Sequence, residues 1–156
     1  MHDPVAEAGL RLLRAQEEGF REVLAGLPDE ALNWRPGPDM NSLAVLVEHA
    51  WASAQMWTAR AAGQQVQRDR AAEFRANRGA AELRELLAGG LARVEELLAA
   101  VDPTRYDEAD ESAARPGQAK TEPITRAWCL LHAIEHLSEH LGQAQLTRQL
   151  WQRTQL

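Results

Sequence analysis

Three histidines spaced four residues apart stand out in residues 131–143, LHAIEHLSEHLGQ. His132, His136 and His140 are three of the five histidines in the chain. In an α-helix, residues four apart lie on one face, about one turn from each other. Two imidazoles in this relation can bind one metal ion, and a third ligand from another helix would complete the site. The spacing therefore predicts a metal site.

The third ligand that we expect is His49. It lies in NSLAVLVEHAWASAQMW, a run that is apolar on most sides of a helix and is therefore expected to be buried by several neighbours. A single histidine in such a run is more often a hydrogen-bonded core residue than a ligand. The histidine cluster in the later helix shifts this balance towards metal binding.

The three histidines of this helix differ in their angular position around the helix axis, relative to the apolar stripe that faces the core. The apolar stripe of their helix is centred near Leu137 and Leu141. With a helical rotation of about 100° per residue, His140 lies closest to this centre, His136 roughly 40° further round and His132 roughly 40° further still. We therefore predict His136 and His140 as ligands, and His132 as a weaker candidate or a rim residue. The alternative is a set of surface histidines at a helix boundary, because an HxxxH pair alone is a modest signal.

Other polar residues are candidates for supporting roles. Gln143 lies on the same flank as the histidines and, with His132, could orient an incoming group. Glu17 falls on the apolar stripe of the first helix, where we expect a partly exposed side chain, with a carboxylate that orients a ligand histidine as the alternative. Cys129 is expected to be a small buried residue without a chemical role.

Four helical runs must position these residues. Alanine, leucine, glutamate, glutamine and arginine are frequent in them, and apolar residues recur at helical spacing. We predict helices over residues 4–26, 41–62, 80–101 and 123–151, the last with Pro123 in its first turn. No run of alternating β-branched residues predicts a strand.

The connections between these helices are long and polar. Residues 27–42 form a loop in which we expect Trp34 to pack over one end of the bundle. Residues 63–78 are predicted as a crossover with room for one short helix. A second polar connection runs to about residue 120, with a turn at 115–117.

Bulk composition narrows the class of protein. A length of 156 residues suits one domain, and a net charge of −6 argues against a nucleic-acid partner. No apolar run approaches the roughly 18–20 residues that span a bilayer. The single cysteine excludes an internal disulfide, and the first residues lack the pattern of a signal peptide. We therefore expect a cytoplasmic protein with no membrane partner.

Two segments carry a family resemblance. LNWRPGPDMNSLAVLVEHA and HAIEHLSEHLGQAQLTRQLW, together with the four helical runs, resemble the DinB/YfiT-like superfamily, which is related to mycothiol- and bacillithiol-dependent transferases. The resemblance covers nearly the whole chain. It implies an all-α fold, a four-helix bundle with up-down-down-up topology and long crossover connections, in a single domain over residues 1–156.

The resemblance also implies a site. Members typically hold a divalent ion, often nickel or zinc, with one histidine from the second helix and two from the fourth, here His49, His136 and His140. His132 lies one turn before this pair and is outside the usual triad. Family members often have arginine before the Gly-Gln pair, where this chain has Leu141. Homodimers are common in the superfamily, so we expect one here.

The expected function is a metal-dependent transferase that joins a low-molecular-weight thiol to a small electrophilic substrate. Three neutral imidazoles leave positions open on a metal, and a cation lowers the pKa of a bound water or thiol. Two alternatives stay open. One is a non-catalytic, stress-related dimeric bundle with a structural or vestigial metal, and the other is a metal-dependent hydrolase.

Overall fold

A computed structural model describes residues 3–110 and 123–156, and these residues are mostly helical. The helices are α1 (Pro4–Leu24), α2 (Asp29–Asn33), α3 (Leu43–Ala61), α4 (Arg70–Glu73), α5 (Ala80–Ala99) and α6 (Arg126–Arg153), with a 3-10 turn at Pro103–Arg105. The four long helices confirm the predicted all-α four-helix bundle. The described ranges contain no strand, and the turn expected at 115–117 lies outside them.

Side-chain caps set the helix starts. Asp3 accepts hydrogen bonds from first-turn amides of α1, and Ser42 does so for α3. Thr125 caps α6 in the same way, so α6 begins at Arg126. The predicted start at Pro123 is therefore wrong, because the cap lies two residues after the proline. The other ends of the long helices lie within two residues of their predicted positions.

Two short helices interrupt segments that the sequence presents as connections. Helix α2 lies in the loop predicted over residues 27–42, and α4 lies in the predicted crossover. Beyond α2, the ring of Trp34 meets that of Trp151 edge to face, with centroids 5.5 Å apart. This contact covers one end of the bundle, as expected for Trp34.

Helices α1 and α6 are parallel neighbours. Gly9 near the start of α1 lies against Ile134, and Gly19 further along lies against Leu141. Both helices therefore advance in the same direction. The two glycines lack a Cβ, which lets α6 side chains pack closely on the backbone of α1.

Helices α3 and α6 run antiparallel. His49 in the first half of α3 contacts His140, whereas Trp57 in its second half contacts Trp128, earlier in α6. Moving forward along α3 therefore means moving backward along α6. This seam carries all the candidate ligands, so its geometry decides the site.

Helix α5 runs antiparallel to α1. The Ala80 amide at the start of α5 donates to Asp29, just beyond the end of α1. At the other end, the Tyr106 hydroxyl beyond α5 donates to Asp3, before α1. With the directions of α3 and α6, this gives the up-down-down-up topology that the resemblance implies.

Parallel α3 and α5 require the chain to return along the bundle between them. Residues 62–79 form this crossover and include α4. The two helices pack closely where Gly90 faces Trp51, since a Cβ added at Gly90 would lie 2.9 Å from the indole ring. Within the described residues, no helix has the length and apolar character needed to cross a membrane.

Candidate metal centre

Three histidine side chains converge where α3 and α6 face each other. The ring centroids are 4.4 Å apart for His136 and His140, 4.9 Å for His49 and His140, and 5.3 Å for His49 and His136. One nitrogen from each ring lies within 4.8 Å of the other two. Nitrogens bound to one tetrahedral zinc ion are about 3.4 Å apart, so the three would move closer by up to about 1.4 Å to share one ion.

A buried carboxylate orients His49. Glu73, on α4 of the crossover, places Oε2 2.9 Å from Nδ1 of His49. Because a carboxylate only accepts, the neutral imidazole donates from Nδ1, and its Nε2 keeps a free lone pair. A ligand histidine needs this tautomer when the metal binds at Nε2.

Arg68 in turn holds the carboxylate of Glu73. Its guanidinium donates to Glu73 from Nε at 2.5 Å and from Nη2 at 2.7 Å. The same Nη2 lies 3.2 Å from Nδ1 of His49, but two donors do not hydrogen-bond. Arg68 therefore acts on Glu73, where it compensates the buried negative charge.

His140 has a similar arrangement with a neutral partner. Its Nδ1 lies 2.9 Å from Oε1 of Gln143, one turn further along α6. The amide oxygen is an acceptor, so Nδ1 of His140 donates and Nε2 is left with its lone pair. His136 differs, because its buried Nδ1 has no hydrogen-bond partner among the described residues. A buried polar atom without a partner costs about 1–3 kcal/mol.

Burial keeps two of these histidines neutral. It lowers the pKa of His136 to about 3, and the neighbouring His140 and His49 add to the effect. Burial also lowers the pKa of His49, against the raising effect of its hydrogen bond to Glu73. Neutral imidazoles are the form that binds metal, so these rings need not lose a proton first at neutral pH.

His132 lies outside the three-histidine cluster. Its ring stacks on Trp128 at 4.5 Å and meets Trp57 edge to face at 4.9 Å, while Nδ1 contacts Glu135 Oε2 at 2.8 Å. The side chain is buried, so the expectation of a rim position is wrong. The two indole rings cover this part of α6, which the helical angle alone does not reveal.

Glu17 is also more buried than expected, with 6% of its surface exposed. It pairs with Arg21 on the same helix at 2.5 Å, and this partner makes burial of the charge possible. The carboxylate that touches a clustered histidine belongs instead to Glu73. The sequence reasoning missed Glu73 and Arg68, because a charged crossover without periodicity gives no sign of which side chains turn inward.

Cys129 is fully buried, and burial raises the pKa of its thiol to about 12. The thiol therefore stays protonated at neutral pH and is a poor nucleophile. This agrees with the expectation that Cys129 packs in the core.

The chain is similar in sequence to one protein family and in fold to a solved structure. A family model described as the DinB superfamily matches residues 12–144, a range that includes all three clustered histidines. The crystal structure of a conserved protein of locus from Enterococcus faecalis superposes with a TM-score of 0.77 at 19% sequence identity. The match covers 96% of this chain and 98% of that one, and at this identity it shows the fold alone. No curated protein matches the chain.

Proposed function

The chain belongs to the DinB superfamily, and from this premise we propose that it binds one divalent transition-metal ion, zinc or nickel, through His49, His136 and His140. The observation that carries the proposal is the convergence of one nitrogen from each ring within 4.8 Å. The hydrogen bonds at Nδ1 of His49 and His140 support it, because they leave Nε2 of both rings available.

The donor set fits such an ion. Imidazole nitrogen suits zinc and nickel, and three protein ligands leave a position open, as in catalytic sites. The DinB superfamily is generally metal-binding. The buried, partnerless Nδ1 of half-buried His136 also fits, because bonding or reorientation at a metal would relieve a nitrogen that no described protein group satisfies. When bound, a divalent cation lowers the pKa of a coordinated thiol or water.

We further propose a transferase reaction between a low-molecular-weight thiol and a small electrophile. The thiol sulfur forms a bond to carbon, the bond from that carbon to the leaving group breaks, and the leaving group takes the electron pair. The thiol proton passes to solvent. Support for the thiol comes from the resemblance to mycothiol- and bacillithiol-dependent transferases.

The protein's own side chains prepare the site for this reaction. Glu73 holds His49, and Gln143 holds His140, so both rings are fixed before a ligand arrives. His132 fills the groove beside His136 and keeps water from that side. In this proposal Gln143 and His132 are positioning residues.

A homodimer is the quaternary structure that we propose. Val5 and Leu12 are exposed on α1, and Leu131 is exposed on the neighbouring α6. Val5 and Leu12 are seven residues apart and therefore share one face of their helix. Exposed apolar side chains on adjacent helices are what a second copy would cover. Light scattering of wild type and a Leu12→Glu/Leu131→Glu variant tests this, with a monomeric variant as the expected result.

The transferase proposal is tested by conjugation of a generic electrophile. Metal-free, zinc-loaded and nickel-loaded protein are each mixed with 1-chloro-2,4-dinitrobenzene and a panel of thiols that includes glutathione and cysteine. We expect the loaded protein to form thioether at least about tenfold faster than the metal-free protein. The His136→Ala/His140→Ala variant should match the metal-free protein. Loaded protein without acceleration by any thiol would contradict the transferase proposal and favour the non-catalytic bundle.

A further inference from the structure

The groove between α3 and α6 is closed on one side of the histidine cluster. Trp57 of α3 and Trp128 of α6 meet edge to face across it, with centroids 5.3 Å apart. His132 packs against both indole rings and reaches His136, at 5.4 Å between centroids. Aromatic rings thus occupy the groove from this end up to the cluster.

On the other side of the cluster the same groove opens into a cavity. Gln143 lies one turn beyond His140 on α6, and Leu46 lies one turn before His49 on the antiparallel α3. These two residues form the layer next to the histidines. The cavity has a volume of about 350 Å³ and is lined by Asp39, Met40, Asn41, Leu46, Gln143, Leu146 and Thr147.

The cavity walls combine apolar and hydrogen-bonding groups. Met40 and Leu146 are 40% and 52% exposed, although both are large apolar side chains. Asn41, Gln143 and Thr147 supply polar groups around them. Ligand pockets have this composition, with an apolar body and a few polar groups that fix orientation.

The charge of the lining is negative. Asp39 is the single ionisable residue among the residues that line the cavity. Arg35 reaches the backbone oxygen of Met40 at 3.5 Å and that of Phe74 at 3.3 Å, but it does not line the cavity. Among the lining residues, therefore, none offers a positive charge to an anion.

We propose that this cavity binds the non-reacting part of the substrate, a small molecule with an apolar body and a neutral or cationic polar end. The inference rests on the proposed function at the histidine cluster. The volume lies at the small end of ligand pockets, which range over about 300–1,000 Å³. It therefore selects a compact substrate.

Gln143 connects the cavity to the reacting centre. It lines the cavity, and its Oε1 accepts the hydrogen bond from His140. One helical turn spans about 5.4 Å, so a ligand seated beside Gln143 has to extend by only a few bonds to reach the cluster. The electrophilic atom of the substrate would then lie near His140 while the apolar body stays between Met40 and Leu146.

Three probes of one size test this assignment: benzylamine, benzyl alcohol and benzoate, titrated into metal-free protein, where no ion can bind them directly, and followed by ligand-observed NMR. We expect the cation and the neutral probe to bind about fivefold more tightly than the anion, because one exposed carboxylate acts through solvent. In protein loaded with Co²⁺, relaxation of the bound benzyl alcohol protons should increase, because the cavity lies next to the cluster. Equal affinity for all three probes, or no cobalt effect, would overturn the proposal.

Matched variants locate the binding. Leu146→Gln removes an apolar wall and should weaken benzyl alcohol binding about tenfold. Leu131→Gln changes a leucine of the same helix with similar exposure, on the proposed dimer face and outside the cavity, and should leave binding unchanged. Asp39→Asn should reduce the preference for benzylamine over benzoate. Equal behaviour of the Leu146 and Leu131 variants would overturn the proposal.

Metal content, measured on the same preparations after loading with zinc, separates this inference from the proposed function. Probe binding in protein that takes up no metal would leave the cavity standing and reject the metal site. Full metal content without probe binding would reject the cavity and leave the metal site standing.

Discussion

Two buried glutamate–arginine pairs lie in different parts of the molecule and look alike. Glu17 on α1 pairs with Arg21, and Glu73 on α4 pairs with Arg68, each with an oxygen-to-Nε distance of 2.5 Å. The two carboxylates are 6% and 4% exposed. The difference is the third group, because only Glu73 has its second oxygen on a histidine, His49. The Glu17–Arg21 pair thus links two turns of α1, whereas the Glu73–Arg68 pair orients a candidate ligand.

The two arginines also differ in their surroundings. Arg21 lies one turn from Glu17 on the same helix, and its side chain is 40% exposed. Arg68 comes from the crossover and is 13% exposed. Solvent screens the first pair more than the second, so removing one partner should cost more free energy in the second pair. The two pairs show that the role of such a glutamate depends on the group that its second carboxylate oxygen contacts.

Removing the imidazole of His49, the group that only the Glu73 pair contacts, should have the largest effect, a loss of zinc affinity. Structural zinc sites gain about 10–16 kcal/mol from four ligands, so one ligand is worth roughly 2.5–4 kcal/mol, a loss of about 70- to 900-fold in affinity. We expect His49→Ala to weaken zinc binding by that factor in a competitive chelator titration. Thr58→Val, which changes a buried polar residue of the same helix outside the cluster, is the control. Equal losses in the two variants would mean that the cluster is not the site.

The two arginines should differ in their contribution to stability. Arg68→Ala leaves the buried carboxylate of Glu73 without its cation, and we expect a cost of about 3 kcal/mol in the free energy of unfolding. Arg21→Ala removes a cation that is 40% exposed and so opens the carboxylate of Glu17 to solvent, which should limit the cost to about 1 kcal/mol. Urea denaturation of the metal-free proteins measures both. A larger loss for Arg21→Ala would reverse the comparison.

The two glutamates should differ in metal affinity. Replacing a group that orients a ligand histidine typically costs about 10–100-fold in metal affinity, and we expect this for Glu73→Gln. Glu17→Gln changes an equally buried carboxylate that touches no clustered histidine, so zinc affinity should be unchanged. Isothermal titration with zinc measures both variants. Equal zinc affinity in the Glu73→Gln and Glu17→Gln variants would show that Glu73 does not orient a metal ligand.

The smallest expected effect is a dependence of protein stability on pH, which arises from His136 in the histidine cluster. Burial lowers the pKa of His136 from 6.5 to about 3. Between these values the unfolded chain binds a proton that the folded, metal-free protein does not, so stability is lost as the pH falls below about 6.5. Thermal unfolding of metal-free protein from pH 7 to pH 5 should show this decline. A variant with His136→Gln should show a shallower decline, and an unchanged slope would contradict the assignment.

Much of the fold is predictable because it follows from periodicity and caps. The apolar stripe of α6 and the apolar faces of α3 predict two buried helices, and the four-residue spacing places His136 and His140 on one face. The structure brings both to His49, as predicted. The start of α6 is the exception, because Thr125 and not Pro123 marks it: the Thr125 side chain caps the helix.

The parts of the site that sequence reasoning missed depend on contacts between distant segments. Glu73 turns inward because the crossover between parallel α3 and α5 passes over His49, and a charged segment does not reveal that path. His132 is buried because indole rings from two helices enclose it. In both cases the decisive partner lies on another element, out of reach of any local pattern.

The most direct test of the central claim is elemental analysis of purified wild type beside the His136→Ala/His140→Ala variant, after reconstitution of both with zinc and with nickel. The account predicts about one transition-metal ion per chain in the wild type and none in the variant. Circular dichroism should show both proteins to be helical, so that a loss of metal is not a loss of fold. No metal in either protein, or the same content in both, would contradict the claim that these histidines form a metal site.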